Sequence, residues 1–261
     1  MKDISGNSIL WKSRRKSVKI QERLAFAVLL FFTLITVFTT FGIVAVLSIE
    51  TLRFFQVADT TPIEFLTNLK IQPEAEKPIF GILPLAWGTF VITCGSCLIA
   101  IPIGLSSAIY LSEFASPRSR AILKPSLELL AGVPTIVYGY LALLLVTPAL
   151  NWIMLKFGIK VDTYNAASAA VVVGIMIIPM VSSLSEDVIR AVPSGLREAG
   201  YGLGATRFEV ITRIVIPAGL SGIMASFILA FSRAIGETMA VVLAAGQLPQ
   251  ISSNICNTSP K

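Results

Sequence analysis

The chain has 261 residues, of which 14% are charged and 54% hydrophobic, with a formal net charge of +6 and a mean hydropathy of +0.79. Soluble proteins carry about 25% charged residues, so this chain has too little charge to coat a soluble surface. It also lacks the low hydropathy and high charge of a disordered chain. With no histidine the usual general base and commonest metal ligand are missing, and three cysteines cannot build a disulfide framework. Cys94 and Cys97 have C-x-x-C spacing but lie inside an apolar run, where packing is the expectation rather than redox or metal chemistry. The composition is that of an all-α, polytopic membrane protein.

In chain order, a basic N-terminal tail covers residues 1–23 and carries Lys2, Lys12, Arg14, Arg15, Lys16, Lys19 and Arg23. A helix needs about 20 mostly apolar residues to cross a bilayer. Residues 24–49 supply a first, bulky run suited to facing lipid; it is too long for a signal peptide, and no small-residue cleavage site follows. Residues 50–82 are expected to form an external connecting segment. Further apolar runs occupy residues 83–111, 129–150, 166–184 and 214–245, and are rich in the small residues that let membrane helices approach closely. The fifth run is overlong for one crossing and is expected to tilt or extend beyond the bilayer.

Arginine and lysine set the orientation. They concentrate in the N-terminal tail, between runs two and three (Arg118, Arg120, Lys124) and between runs four and five (Arg190, Arg197, Arg207, Arg213). The N-terminus is therefore expected in the cytoplasm. Five crossings would leave residues 246–261, a polar tail, outside. Basic residues split between loops do not make a nucleic-acid surface.

Residues 185–213, SEDVIRAVPSGLREAGYGLGATRFEVITR, are too polar to sit in a membrane and too patterned for a random linker. Pro193 and Ser194 can begin a short helix, with Ser194 as its cap. Gly200, Gly202 and Gly204 permit a sharp turn, and Thr206 followed by Glu209 makes a capping box opening the next helix.

This segment resembles the EAA loop of ABC importer permeases: Glu198, Ala199, Gly200, then Gly204, then Ile214, Ile216 and Pro217 fall at the loop's spacing. The departures are Gly200 in place of alanine and Ile216 in place of leucine. The resemblance implies a type I ABC importer permease fold, and a loop (Arg197, Glu198, Ala199, Gly200, Gly204, Ile214, Pro217) that docks on a cytoplasmic ATPase subunit. No G-x-x-x-x-G-K-[ST] phosphate loop occurs here. The chain is thus expected to be no enzyme and to hold no cofactor or metal, with ATP and magnesium on the partner.

Across the five runs the ionisable acids and bases are Arg233 and Glu237, spaced i, i+4 so as to share a helix face. A charge at membrane depth costs roughly 2.5–3.5 kcal/mol on insertion scales and marks a candidate functional site. The residues alone leave open a purely structural tie. The surrounding FSRAIGETMAV, together with FGILPLAWGTFVITCGSCLIAIPIGLSSAIYLSEFA (residues 80–115), resembles phosphate ABC importer permeases of the PstC type rather than the PstA type. That resemblance implies a phosphate path through Arg233 and Glu237 in the bacterial inner membrane. It also implies a homologous PstA-type permease, two copies of an ATPase subunit and an external phosphate-binding protein as partners, with lipid around them and no nucleic acid. The family's usual sixth helix has no counterpart, so residues 246–261 are expected to be a truncated or incomplete end of a permease core spanning 83–245. The rival readings are a sulfate or molybdate permease of the same architecture and a truncated, non-transporting membrane protein.

Overall fold

The computed structural model describes residues 6–57, 60–72 and 78–246. Cys256 and the expected external tail beyond residue 246 lie outside the described residues. The chain forms two compact units, residues 1–64 and 65–261.

The first unit is dominated by α1 (Gly6–Val57), whose apolar part, Gln21–Val57, can cross a membrane. The helix runs past residue 49, so the connecting segment starts later than the sequence suggests. Its Phe26, Phe31, Phe38 and Phe41 are exposed, as the bulky composition predicts. Thr33, Thr36, Thr39, Thr40, Ser48 and Thr51 each donate to the carbonyl four residues earlier at 2.7–3.0 Å. A hydroxyl satisfied by its own helix can face an apolar medium without a stranded donor. The short α2 (Pro62–Thr67) follows.

In the second unit α3 (Leu83–Ile109) continues into a π-helical turn, Tyr110–Phe114. Ser116 caps α4 (Pro117–Ala131) by accepting from Ser119 N–H at 3.1 Å. The third apolar run does not begin as one helix at residue 129: the chain breaks at Gly132–Pro134, because a proline disfavours helical backbone at the residue before it. The crossing is Thr135–Leu155, made of α5 (Thr135–Leu141), a π turn (Ala142–Val146) and α6 (Thr147–Leu155). Next comes α7 (Ala166–Ala191), capped by Asn165 Oδ1, which accepts from Ser168 N–H at 2.7 Å. Then follow α8 (Ser194–Gly202), α9 (Arg207–Val210), a π turn (Ile211–Val215), α10 (Ile216–Ile235) and α11 (Met239–Ala245). The first π turn ends at extended Ala115 and Ser116, whereas the other two run on as helix into Pro148 and Pro217. A proline has no N–H for the carbonyl four residues earlier and pushes that carbonyl aside, and widening the turn accommodates both effects.

The fifth run is not one long tilted helix. It stops at Gly236, and α11 is a separate segment against α5 and α7.

Among the described residues, five helices are long and apolar enough to cross a membrane. At the centre α7 packs on α3, α10 and α11, and the core is built largely from alanine, valine and isoleucine, with Val173, Val181, Ala230 and Ala240 fully buried. A Cβ added at Gly104 would lie 2.7 Å from Val181 Cβ and 3.2 Å from the Ile178 carbonyl oxygen, and at Gly174 3.1 Å from the Ser96 carbonyl oxygen. Helices α3 and α7 therefore meet close to backbone on backbone, the way membrane helices gain dispersion contact where lipid offers no hydrophobic driving force. Cys97 packs within this core, in keeping with the packing expectation, whereas Cys94 is exposed and does not.

Gly104→Val should force α3 from α7 and destabilise the protein by about 1–3 kcal/mol, the usual cost of overpacking. Gly88→Val, at a position with nothing within 4 Å of the added Cβ, should be tolerated. Thermal unfolding of the two variants in detergent checks the contrast.

Candidate functional site

Helix α7 extends through Ala191, so residues 185–191 are helix and only the remainder of the 185–213 segment is a hairpin. Val192 and Pro193 are extended, with ψ of 126° and 137°. Pro193 stands at the N-cap of α8 and makes no side-chain cap bond, and Ser194 is the first helical residue, so the expected Ser194 cap is corrected. Proline pre-sets a φ of about −65° for a chain entering a helix and needs no donor there. The turn after α8 is closed by Leu203 N–H to Ala199 O at 3.1 Å, Gly204 N–H to Tyr201 O at 2.9 Å and Ala205 N–H to Gly200 O at 3.2 Å.

The glycines of this corner have separate roles. Gly204 sits at φ +83°, left-handed backbone that side chains disfavour. Gly200 is buried inside α8, where a Cβ would meet Ile214 Cδ1 at 2.6 Å and Val210 Cγ2 at 3.0 Å. Gly202 has open space around it and nothing in the structure requires glycine there. Thr206 and Glu209 form the expected capping box, with Thr206 N–H to Glu209 Oε2 at 2.9 Å and Glu209 N–H to Thr206 Oγ1 at 3.4 Å.

Glu198, Ala199 and Pro217 are exposed, and Ile214 is half-buried against a small core of Ala108, Ile189, Val192, Val210, Val215 and Ile223. Leu203 and Phe208 project from the hairpin, 89% and 71% exposed. Arg197 is turned inward: Nη1 donates to Val192 O at 2.8 Å, and Nη2 donates to Ile189 O at 2.7 Å and to Glu113 Oε1 at 3.0 Å. The hairpin residues are thus an exposed set on α8 and its turn, plus Gly200, Ile214 and Arg197, which fix that set to the body.

The Arg233–Glu237 pair is made, but across a helix end and not along one helix face. Arg233 stands in the last turn of α10, Gly236 caps it, and Glu237 lies in the break before α11. Arg233 Nη1 donates to Glu237 Oε2 at 2.7 Å, and Glu237 Oε1 accepts from Ala240 N–H, in the first turn of α11, at 3.3 Å. The glutamate side chain is 3% exposed and the arginine side chain 42%. A buried carboxylate is therefore occupied by its partners while the guanidinium retains accessible donors. The negative end of the α10 dipole adds to the attraction for Arg233. Arg233 Nη2 also lies 3.9 Å from Met176 Sδ. Met176 is near the middle of α7, roughly 15 Å along it at 1.5 Å per residue, so the pair lies beside the middle of α7.

A third charged group lies where the sequence reading placed a loop. Glu186, fully buried on α7, pairs with Arg120, with Lys124 Nζ at 3.2 Å and with Arg190 at 3.9 Å, while Lys124 also reaches Asp187 Oδ1 at 3.1 Å. The available signal was Glu186 and Arg190 at i, i+4 directly after an apolar run, hidden because that run was closed at residue 184. Burial by itself lowers the Lys124 pKa, but hydrogen bonds and charge from Asp187 and Glu186 outweigh it and raise the group above 10.5.

The family described as "Binding-protein-dependent transport system inner membrane component" matches residues 100–259. The Bacillus subtilis (strain 168) protein named probable ABC transporter permease protein YqgH is 35% identical over 213 residues, covering 82% of this chain and 68% of its own length. The phosphate transport system permease protein PstC of Mesorhizobium japonicum is 35% identical over 216 residues, covering 77% of this chain and 65% of its own. The probable phosphate transport system permease protein PstC of Methanocaldococcus jannaschii is 32% identical over 198 residues, covering 70% and 62%. The chain thus spans between 62% and 68% of the length of these relatives. Among solved structures, the MetNI methionine ABC transporter in an inward-facing conformation aligns over 60% of this chain and 68% of its own, with a TM-score of 0.45 and 19% identity.

Removing the carboxylate at Glu186 takes the counter-charge from Arg120 and Arg190 and leaves Lys124 with Asp187 alone. Glu186→Gln is expected to destabilise the protein by about 3–5 kcal/mol, the cost of breaking a buried ion pair from one side; adding Arg120→Gln should recover part of the loss. Because the Lys124 pKa is raised, its contribution is fully present below the unfolded value near 10.5 and is lost only as pH rises through the higher folded value. Unfolding scans between pH 6 and about 9 should therefore be flat with respect to this group.

Proposed function

The chain belongs to the family of binding-protein-dependent transport system inner membrane components, a multi-pass membrane protein, and from that premise we propose that it is the PstC-type permease subunit of an ATP-driven phosphate importer. The supporting observation is the half-exposed Arg233 guanidinium, held by the buried Glu237 at a helix break beside the middle of α7. A break of this kind is where membrane transporters admit non-helical backbone, since it faces a path and not lipid. Arginine presents a planar fork of donors that fits two phosphate oxygens and stays charged at any relevant pH. Glu237 orients that fork and offsets part of its charge, which keeps a passing anion from being trapped. The names of the relatives, phosphate permeases among them, agree with the anion chemistry.

The subunit lies in a bacterial inner membrane with its N-terminus in the cytoplasm, as the distribution of arginine and lysine indicates. It pairs with a homologous PstA-type permease. Two cytoplasmic ATPase subunits bind ATP and magnesium, and an external phosphate-binding protein delivers the anion. The exposed hairpin of Glu198, Ala199, Leu203 and Gly204 seats on the ATPase. Closure of the ATPase pair then moves the hairpin, and the permease halves rock about the path so that Arg233 faces one side at a time.

The assembled transporter tests the pair by phosphate uptake normalised to permease in the membrane. Arg233→Gln should assemble yet lose uptake about tenfold or more, the effect expected when a charge-assisted hydrogen bond of roughly 1.5–3 kcal/mol disappears. Arg233→Lys should keep partial activity, and Arg233→Gln with Glu237→Gln should not recover. Full uptake by the double variant would show that the pair is only a structural tie.

The hairpin is tested separately. Gly204→Val, strained at φ +83°, should distort the turn and lower uptake while leaving insertion intact. The strain is of the order of 1–3 kcal/mol. Normal uptake by that variant removes the docking assignment.

A further inference from the structure

Helices α7 and α8 are joined only by Val192 and Pro193, both extended. The backbone hydrogen bonds bordering this joint are Val192 N–H to Ile189 O at 3.4 Å and Leu196 N–H to Pro193 O at 3.2 Å. Such a joint would flex when α8 is pushed, and the displacement would be absorbed there. One side chain spans it. Arg197, on α8, reaches back to the carbonyl oxygens of Ile189 and Val192 at 2.7 and 2.8 Å and to Glu113 Oε1, in the π turn that ends α3, at 3.0 Å. The Arg197 and Glu113 side chains are only 19% and 12% exposed.

The acceptors are of the kind a helix end leaves unsatisfied: the last carbonyls of α7 have no donor within their own helix, and the negative end of its dipole favours a cation. Holding two carbonyls and a carboxylate at once takes a planar fork with several N–H groups, which lysine does not have. On its other face α8 is stacked through Gly200 against Val210 and Ile214. The hairpin is thus fastened to the last crossing by packing and to α3 and α7 by one ionic contact. Presentation of a docking surface needs only the first attachment.

We propose that Glu113 and Arg197 form a clasp that makes α8 move as one body with the adjoining ends of α3 and α7, so that Glu113 is a positioning residue for coupling. The proposal rests on the coupling role given to the hairpin above. Displacement of α8 is then delivered to α7, the helix that also contacts Arg233 through Met176, instead of being lost at Val192–Pro193.

The test uses the assembled transporter in membranes with Glu113→Ala, Glu113→Gln and Arg197→Lys, none of which alters an exposed residue of the hairpin. Two quantities are read: amide hydrogen exchange across residues 194–202, and phosphate imported per ATP hydrolysed. Glu113→Ala should speed exchange in α8 about tenfold, as loss of a charge-assisted hydrogen bond implies, without changing exchange across residues 170–181. Phosphate imported per ATP should fall about fivefold, the lower end of a typical coupling energy. Glu113→Gln, which can still accept, and Arg197→Lys should fall between the wild type and Glu113→Ala. Unchanged exchange in α8 overturns the clasp. Faster exchange with an unchanged import ratio also overturns it, as does a parallel loss of assembled complex, import and hydrolysis with the ratio intact. A wild-type complex that imports no phosphate counts against the proposed substrate alone; exchange in α8 then decides the clasp, and an unchanged rate overturns it.

Discussion

A carboxylate withdrawn from water must bring its cation with it, because an unpaired buried charge costs several kcal/mol. The body of this protein meets that constraint at Glu113, Glu186 and Glu237, whose side chains are 12%, 0% and 3% exposed. In each case at least one cation reaches across a change of element: Arg197 from α8, Arg120 and Lys124 from α4 (beside Arg190 of α7 itself), and Arg233 from the end of α10 across the break to Glu237. The ion pairs therefore tie elements to one another. The hydrophobic effect is non-directional, whereas an arginine fork on a carboxylate fixes direction and register. In a chain that is 54% hydrophobic, these few contacts add direction to the apolar packing.

The central helix α7 connects these ties. Near its middle Met176 touches Arg233; Glu186 ties its later turns to α4, and its final carbonyls receive Arg197. Small residues at the α3 contact bring backbones close enough that movement of one helix must displace the other, since a packed interior has no slack to absorb it. Prolines supply the opposite property. Pro134 and Pro193 accompany breaks, and the π turns before Pro148 and Pro217 loosen the helix locally. Rigid segments joined at defined points suit the coupling role proposed for the hairpin.

The sequence by itself determined the class of protein, the number of crossings among the described residues, the hairpin with its Thr206–Glu209 box and its Gly204 turn, and the pairing of Arg233 with Glu237. Each rests on local chemistry: apolar length, i, i+3 and i, i+4 spacing, and a left-handed position that favours glycine. The family resemblance read from the hairpin and from FSRAIGETMAV agrees with the family match over residues 100–259. Tertiary structure decided where apolar runs stop being one helix. Leu129, Leu130 and Ala131 are as hydrophobic as Thr135–Leu155, yet they belong to α4, and residues 239–245 belong to α11. Hydropathy measures transfer from water and is blind to backbone direction. The partners of Arg197 and Glu186 were equally hidden, since Glu113 is 84 residues from Arg197 and Arg120 lies far from Glu186 in the chain. A contact between distant residues depends on how helices pack in space, and no local spacing encodes it.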